Sequence, residues 1–240
     1  MVLNETMYKK TSKYLIFLQN TLTLPQRNTI MDIEALTQEA IGLLERMVSL
    51  PSVSREEKEV ADLLENFMKE RGKTPCRTGH NLWCISPFYR TGRPTLLLNA
   101  HIDTVKPAAS WTRDPFRPTR EGERIYGLGT NDDGASVVAL WQAFCTLSGK
   151  EQPYNLIFLA SCEEEVSGKN GIESVLPLLP HIDLALVGEP TGMQPAIAEK
   201  GLMVLDVTAH GKSGHAARNE GENAIYKAMK DMEWFRTYRF

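Results

Sequence analysis

The stretch Thr95-Leu-Leu-Leu-Asn-Ala-His101-Ile-Asp103 predicts a buried strand that ends in a histidine and an aspartate placed two residues apart. Residues i and i+2 of a strand point to the same face, so these two side chains can interact. Metal-bound histidines commonly donate their second ring N–H to a carboxylate, which fixes the orientation of the ring. The pair therefore predicts either a metal ligand with its supporting aspartate or a histidine that ends a strand and bonds a nearby acid.

Carboxylates also follow two later apolar runs. The run 155–160 leads directly into Glu163-Glu164-Glu165, and the run 183–187 leads into Gly188 and Glu189. Adjacent acids raise one another's pKa unless a cation compensates them, so a metal site or a catalytic base is favoured over a solvated turn. Open α/β sheets bind ligands beyond the carboxyl ends of their strands. We therefore expect five side chains to converge beyond the carboxyl ends of these strands, namely His101, Asp103, Glu164, Glu165 and Glu189.

Asp132 lies in Gly127-Leu-Gly-Thr-Asn-Asp-Asp-Gly134, just before a predicted helix over 135–147. Gly127-x-Gly129 resembles the start of a dinucleotide-binding loop, but the third glycine position is Asp132. An anionic side chain where a pyrophosphate would bind argues against that interpretation. Asp132 is then either a cation ligand or an ordinary helix N-cap, and both alternatives stay open.

Helical periodicity appears before the first strands. From Asp32, apolar residues recur at three- and four-residue spacing and predict a helix that ends before Pro51. Ser54-Arg-Glu-Glu57 has the form of a capping box for a second amphipathic helix, which Gly72 would end. Strands are predicted over 81–86 and 95–100. Helices followed by buried strands indicate an α/β fold.

Composition bounds the remaining possibilities. With 240 residues and 42% hydrophobic content, the chain can bury one large core or one core plus part of a second. The formal net charge of -3 and the lack of a basic cluster interleaved with aromatic residues give no reason to expect a nucleic-acid partner. The four cysteines form no C-x-x-C pair, so free thiols in a reducing, cytoplasmic compartment are expected.

Residues 1–31 differ from the rest of the chain. Three lysines precede the apolar run 14–18, but that run has only five residues, too few for a signal peptide or a membrane anchor. We expect a poorly ordered leader over 1–31 and no membrane partner.

The sequence changes character again near residue 198. Residues 201–210 alternate as a strand and are followed by Gly211-Lys-Ser-Gly-His215. This is not a phosphate loop, because the glycine required five residues before Gly211 is Asp206. An amphipathic helix follows from Glu222, and its aromatic, basic end at 234–240 suggests a chain that stops within a domain. We expect a catalytic domain over 32–197 and the beginning of a second domain over 198–240.

Taken in order, these motifs resemble the zinc-dependent M20 peptidase and aminoacylase family, in particular its acetylornithine deacetylase and succinyl-diaminopimelate desuccinylase branch. The resemblance extends over residues 31–239. It implies a three-layer α/β catalytic domain and an inserted α+β lid domain through which relatives form homodimers. Since the family usually continues well past this length, the resemblance also implies that the chain is C-terminally truncated.

The resemblance implies a role for each acidic or histidine motif around a metal pair. His101-Ile-Asp103 matches the element that supplies a ligand of one zinc and the residue that orients it. Asp132 matches the bridging aspartate, Glu165 a metal ligand, and Glu189 the carboxylate of the other zinc. Two Zn²⁺ ions are expected in a complete site, with Co²⁺ or Mn²⁺ as substitutes.

The catalytic residues implied by the resemblance are Glu164, Asp103 and His215. Glu164 would be the general base that activates water, and His215, in the lid domain, would stabilise the oxyanion. Two departures weaken the match. The family usually has Lys-Gly two residues after its bridging aspartate, whereas Asp133-Gly134-Ala135 follows Asp132 here. No residue matches the second histidine ligand that relatives carry near their C-terminus.

The expected function is zinc-dependent removal of an acyl group from an N-acylated amino acid, with N-acetylornithine, and hence arginine biosynthesis, as the first choice. Succinyl-diaminopimelate desuccinylase and M20 dipeptidase activities are the alternatives within the family. An inactive fragment that lacks the second histidine ligand is the alternative outside enzymes.

Overall fold

The computed structural model describes residues 32–198, 205–218 and 220–239. They form two compact units that divide between Met193 and Gln194. The leader predicted over residues 1–31 lies outside the described residues.

The first unit contains both helices and short strands. Its elements are, in chain order, α1 (Ile33–Val48), α2 (Lys58–Glu70), β1 (Cys76–Thr78), β2 (Asn81–Ile85), β3 (Thr95–His101), β4 (Thr119–Glu121), β5 (Arg124–Tyr126), α3 (Ala135–Leu147), β6 (Asn155–Ser161), α4 (Ile172–Val175) and β7 (Leu184–Val187). A π-helical turn over Thr130–Gly134 precedes α3, and a 3₁₀ turn over Leu176–Leu178 follows α4. The mixed α/β class predicted from the sequence is confirmed.

Five strands form a mixed sheet in the order β1-β2-β6-β3-β7. The strands β6, β3 and β7 are mutually parallel, and β2 runs antiparallel to β6. His101 is in register with Ser161, and Asn99 is in register with Val187. The carboxyl ends of these three parallel strands therefore lie at one edge of the sheet, where open α/β sheets bind ligands.

Apolar side chains cover both faces of the sheet. Three long helices, α1, α2 and α3, pack on one face, and Trp141 of α3 lies at the centre of this core with its ring 5.3 Å from that of Phe158. Val175 of the short helix α4 packs on Trp83 and Leu97 of the other face. Because β6 is buried along its whole length, it reads in the sequence as an unbroken apolar run.

The sequence predicts the N-terminus of α1 correctly but not the capping of α2. The helix predicted from Asp32 begins there, and the Asp32 side chain caps α1 by accepting a hydrogen bond from the Ala35 N–H. The capping box predicted over 54–57 is wrong. The helix α2 begins only at Lys58 and has no side-chain cap, while the Ser54 hydroxyl donates to Asp103 instead. In a capping box the serine oxygen would accept a backbone N–H, whereas here the hydroxyl donates to a buried carboxylate, and hydrogen bonds to an ionised acceptor are the stronger ones.

The second unit contains a 3₁₀ turn over Ala216–Arg218 and the helix α5 (Ala224–Thr237), which Asn223 caps. The strand predicted over 201–210 is wrong where it can be judged. Residues 205–210 are not in a strand, and 201–204 lie outside the described residues. Within the described part of this unit, β pairing is limited to the bridge between Lys212 and Glu222, so the alternating segment has no partner. A β-strand requires a neighbour for its backbone hydrogen bonds.

The four cysteines are free, as expected. Across the described ranges, no helix combines the length and apolar character needed to cross a membrane.

Candidate metal centre

Three side chains from separate segments meet at the carboxyl edge of the sheet. His101 ends β3, Asp132 lies in the π-helical turn before α3, and Glu189 lies two residues after β7. One ligand atom from each lies within 4.8 Å of the other two, and His101 Nε2 is 2.9 Å from Asp132 Oδ1. Ligands bound to one Zn²⁺ at about 2.0–2.2 Å lie at comparable distances from one another. The three residues thus fit a shared cation.

The imidazole of His101 is buried, and Asp103 fixes its orientation through Nδ1. Its Nδ1 lies 3.0 Å from the backbone oxygen of Asp103 and 3.4 Å from the carboxylate Oδ1 of the same residue. Nε2 therefore faces the carboxylates of Asp132 and Glu164. Burial alone would lower the pKa of His101, but the hydrogen bond to Asp103 and the charges of Asp103, Asp133 and Glu164 raise it to about 10.

Asp103 is completely buried and accepts hydrogen bonds on both carboxylate oxygens. The Glu164 N–H donates to Oδ1 at 3.0 Å, while the Ser54 hydroxyl and the Glu165 N–H donate to Oδ2 at 2.7 and 3.1 Å. Burial by itself would raise the pKa of Asp103, but the hydrogen bonds from His101, Ser54 and the two amides lower it. The carboxylate therefore stays ionised and fixes both the histidine and the turn that carries Glu164 and Glu165.

The loop around Asp132 explains the glycines that resemble a nucleotide-binding motif. A Cβ on Gly134 would lie 2.6 Å from the backbone oxygen of Gly129, and Gly129 has φ +77° and approaches Thr104 closely. Asp132 is joined to Asp133 by a cis peptide bond. The helix α3 starts after Gly134 and has no side-chain cap, so the N-cap alternative for Asp132 is wrong. The glycines permit tight packing that brings Asp132 to His101.

Asp133 is a site residue that the sequence reasoning did not select. It is 1% exposed, and its Oδ2 accepts the backbone N–H of His101 at 3.2 Å, which ties the loop to the end of β3. Burial raises its pKa to about 7, while a hydrogen bond from Ser136 and the charge of His101 oppose that rise. The only local signal was the doubled aspartate, and its contact with His101 is not visible in sequence spacing.

Glu164 and Glu165 follow β6 on the same side of the site. Glu164 Oε2 lies 3.9 Å from His101 Nε2, and its side chain is half exposed. Glu165 does not belong to the three-residue group, but its pKa is raised by burial and then by the negative charges of Asp132 and Glu164. Burial and repulsion from the same carboxylates also raise the pKa of Glu189. A cation placed among these acids would relieve the repulsion.

His215 belongs to the second unit, where it is exposed and its Nδ1 accepts the Ala217 N–H at 3.3 Å. The other histidines have separate surroundings. His80 Nδ1 pairs with Glu57, His181 is highly exposed with Asp183 3.7 Å away, and His210 accepts a hydrogen bond from Lys227 on its backbone oxygen. Among the described residues, the metal-binding group contains His101 as its one histidine.

Comparisons with known proteins identify the family of this chain. Residues 97–233 match the peptidase family M20/M25/M40, and the chain belongs to that family. The matched range includes every metal-binding or catalytic residue predicted from the sequence, from His101 to His215.

Two curated relatives and one crystal structure illustrate the match. Succinyl-diaminopimelate desuccinylase of Corynebacterium glutamicum is 33% identical over 199 residues, 78% of this chain and 51% of the relative. Acetylornithine deacetylase of Proteus mirabilis is 30% identical over 200 residues, 77% of this chain and 51% of the relative. This chain therefore spans about half the length of these relatives.

The crystal structure is that of a Bacillus subtilis protein described as a dinuclear metal-binding peptidase from the M20 family. It superposes with a TM-score of 0.51 and 18% identity, over 64% of this chain and 43% of that one. At this identity the likeness concerns the fold alone. The chain is a member of a metallohydrolase family, with three metal-ligating side chains brought together at the carboxyl edge of its sheet.

Proposed function

We propose that the protein contributes to a zinc-dependent amidohydrolase that removes the acyl group from an N-acylated amino acid, with N-acetylornithine as the first substrate to test. The observation that carries this proposal is the convergence of His101, Asp132 and Glu189 within 4.8 Å, with Glu164 beside them. The two curated relatives support the substrate class, since both of their names describe removal of an acyl group from an amino acid.

The donors fit divalent zinc better than a harder cation. Imidazole nitrogen with carboxylate oxygens is a usual zinc donor set, whereas calcium and magnesium prefer oxygen ligands alone. His101, Asp132 and Glu189 would hold one ion, which differs from the sequence expectation that Glu189 binds the other zinc. Asp132 with Glu165 would contribute to a second. When bound, the ions would supply Lewis-acid polarisation of the substrate carbonyl and a lowered pKa for a water molecule.

The protein residues would then move and stabilise charge. Glu164 is close to the donor group without belonging to it, and its half-exposed carboxylate can reach a water molecule and take its proton. The same carboxyl group would pass that proton to the leaving amine. Asp103 would keep the His101 ring and the Glu164 turn in place. His215 is proposed to stabilise the developing oxyanion, on the evidence of its sequence motif.

Two further substrate classes belong to the same proposal. The desuccinylase relative is at least as similar as the deacetylase, so N-succinyl-diaminopimelate is tested beside N-acetylornithine. The B. subtilis neighbour is described as a peptidase, which adds a dipeptide to the panel. A role in arginine biosynthesis, a cytoplasmic location and a homodimer formed through the second unit stay predictions.

The test is zinc stoichiometry by elemental analysis, combined with hydrolysis assays on the three substrates. Glu164→Ala is the key variant, because it should retain zinc and lose turnover. Glu173→Ala, an exposed acid in α4, is the matched control and should change neither. Bound zinc together with turnover of an acyl amino acid, lost only in Glu164→Ala, would support the proposal.

The opposite results are equally clear. No zinc and no turnover would identify the present chain as an inactive fragment. Cleavage of the dipeptide alone would replace the deacylase assignment with a peptidase assignment. Full activity in Glu164→Ala would remove Glu164 as the general base.

A further inference from the structure

Four consecutive backbone amides beneath the proposed general base are each bound by a buried side chain. The Cys162 N–H donates to Asn81 Oδ1 at 3.0 Å, and the Glu163 N–H donates to Glu57 Oε1 at 3.2 Å. The next two, from Glu164 and Glu165, donate to Asp103 as described above. Three fully buried residues, Asn81, Glu57 and Asp103, therefore define the path of the turn after β6.

Of the two carboxylates in this set, Glu57 is the one without an assigned role. It is a carboxylate with 0% exposure, and in the sequence it belongs to the segment that resembles a capping box. A buried carboxylate is costly unless hydrogen bonds satisfy it. Glu57 accepts three of them, from the Arg55 N–H at 2.6 Å, the Glu163 N–H at 3.2 Å and His80 Nδ1 at 2.7 Å.

The backbone at Glu163 requires such support. Its φ is +54°, a left-handed conformation that residues with a long side chain rarely adopt. The Glu163 side chain is held as well, because Asn170 Nδ2 donates to its Oε1 at 2.8 Å. It also packs closely on Gly168, where a Cβ would lie 1.9 Å from Glu163 Oε2. With both its amide and its side chain bound, Glu163 sets the direction in which the chain enters Glu164.

We infer that Glu57, supported by His80, is a positioning residue for Glu164 and acts through the Glu163 amide. This inference rests on the proposed function, because it takes Glu164 as the general base. Ser54 and Glu57 then serve the site together, one by bonding Asp103 and the other by bonding Glu163. The predicted helix cap is instead a two-point support for the catalytic turn.

The decisive variants are Glu57→Ala, which removes the acceptor, and Glu57→Gln, which keeps an oxygen where Oε1 lies. Loss of an outer-shell partner typically lowers activity 10–100-fold, so kcat of Glu57→Ala should fall by about that factor. KM should stay within about twofold, because the residue does not contact substrate. Glu57→Gln should recover most of the lost kcat. The neighbouring exposed acid provides the control, Glu56→Gln, with kinetics equal to those of the starting protein.

A second readout does not depend on turnover. Amide hydrogen exchange at Glu163 and Glu164 should accelerate in Glu57→Ala and stay slow in Glu57→Gln. If the starting protein hydrolyses no substrate, the proposed function fails, while the exchange data still decide whether Glu57 fixes the turn. Unchanged exchange in folded Glu57→Ala overturns the inference, as does a loss of kcat in Glu57→Gln equal to that in Glu57→Ala.

If Glu57→Ala does not fold, His80→Ala takes its place, because the His80 side chain is partly exposed at 28%. A loss of kcat with unchanged KM and faster exchange at Glu163 would support the inference. Kinetics and exchange equal to those of the starting protein would overturn it.

Discussion

The Ser54 hydroxyl donates a 2.7 Å hydrogen bond to Asp103 Oδ2 across 49 residues of sequence. Backbone bonding brings the two segments together, since Thr104 bonds both Ser52 and Ser54 through its main chain. Asp103 in turn contacts His101 and the amides of Glu164 and Glu165. One serine hydroxyl therefore supports a carboxylate that orients both a proposed metal ligand and the proposed general base.

The first prediction concerns that hydroxyl. Ser54→Ala should lower kcat by about tenfold, the lower end of the range for outer-shell partners, because Asp103 keeps its two amide donors. Steady-state kinetics and zinc titration measure the effect. Ser110→Ala, on an exposed loop, is the control. Unchanged kcat in Ser54→Ala would mean that the two amides hold Asp103 without the hydroxyl.

The second prediction concerns metal affinity. His101→Ala should weaken zinc binding by more than the ~10–100-fold that loss of an outer-shell partner costs, because it removes a direct ligand. His181→Ala is the matched control, since that histidine is 86% exposed and lies outside the donor group. Competition with a zinc-sensitive dye gives both affinities. Equal zinc affinity in the two variants would exclude His101 as a ligand.

Local sequence patterns were sufficient for most of the first unit. The helix predicted over 135–147 has those bounds in the structure, and the buried strands β3 and β6 begin where their apolar runs begin. In each case the apolar residues that predict the helix or strand are also the ones that pack in the core, so local propensity and tertiary packing favour the same structure. The placement of polar residues at the ends of the parallel strands follows from the same topology.

The failures in the first unit involve residues whose partners are distant in sequence. Ser54 and Glu57 have the spacing of a helix cap, but their partners are Asp103 and Glu163, 49 and 106 residues away. Asp133 was passed over because its bond to the His101 amide depends on the folded loop. Sequence spacing reports on hydrogen bonds within a turn of helix and not on those between separate strand ends.

The third prediction concerns a contact that joins all three long helices. Glu39 of α1 accepts from Arg71 Nε at the end of α2 and from Gln142 Nε2 of α3, at 2.5 and 2.7 Å. Burial alone would raise the pKa of Glu39, but the hydrogen bonds from Gln142 and Arg71 lower it. A depressed pKa in the folded state contributes stability above the unfolded pKa of about 4.3, which is lost as the pH falls through the folded pKa.

Glu39→Gln should therefore lower the free energy of unfolding by about 1 kcal/mol at pH 7, a value limited by solvent screening of this partly exposed pair. The difference from the starting protein should shrink as the pH falls below about 4. Urea titrations at several pH values measure it, with Glu70→Gln as an exposed control. A difference that stays constant down to pH 3 would exclude the ionised Glu39 carboxylate as its source.

The last prediction concerns Trp141 at the centre of the helical core. Its ring is 1% exposed, lies 5.8 Å from that of Phe144, and its Nε1 has no hydrogen-bond partner among the described residues. Trp141→Ala should lower the free energy of unfolding by about 3–5 kcal/mol, because it opens a cavity between the sheet and the helices. Trp141→Phe should cost less than about 1.5 kcal/mol, since it keeps an aromatic ring and removes the unpaired N–H. Urea unfolding followed by far-ultraviolet circular dichroism compares both with Trp111→Phe, a change at a partly exposed position. If Trp141→Phe costs as much as Trp141→Ala, the indole N–H contributes a bond to the native state and the core depends on it.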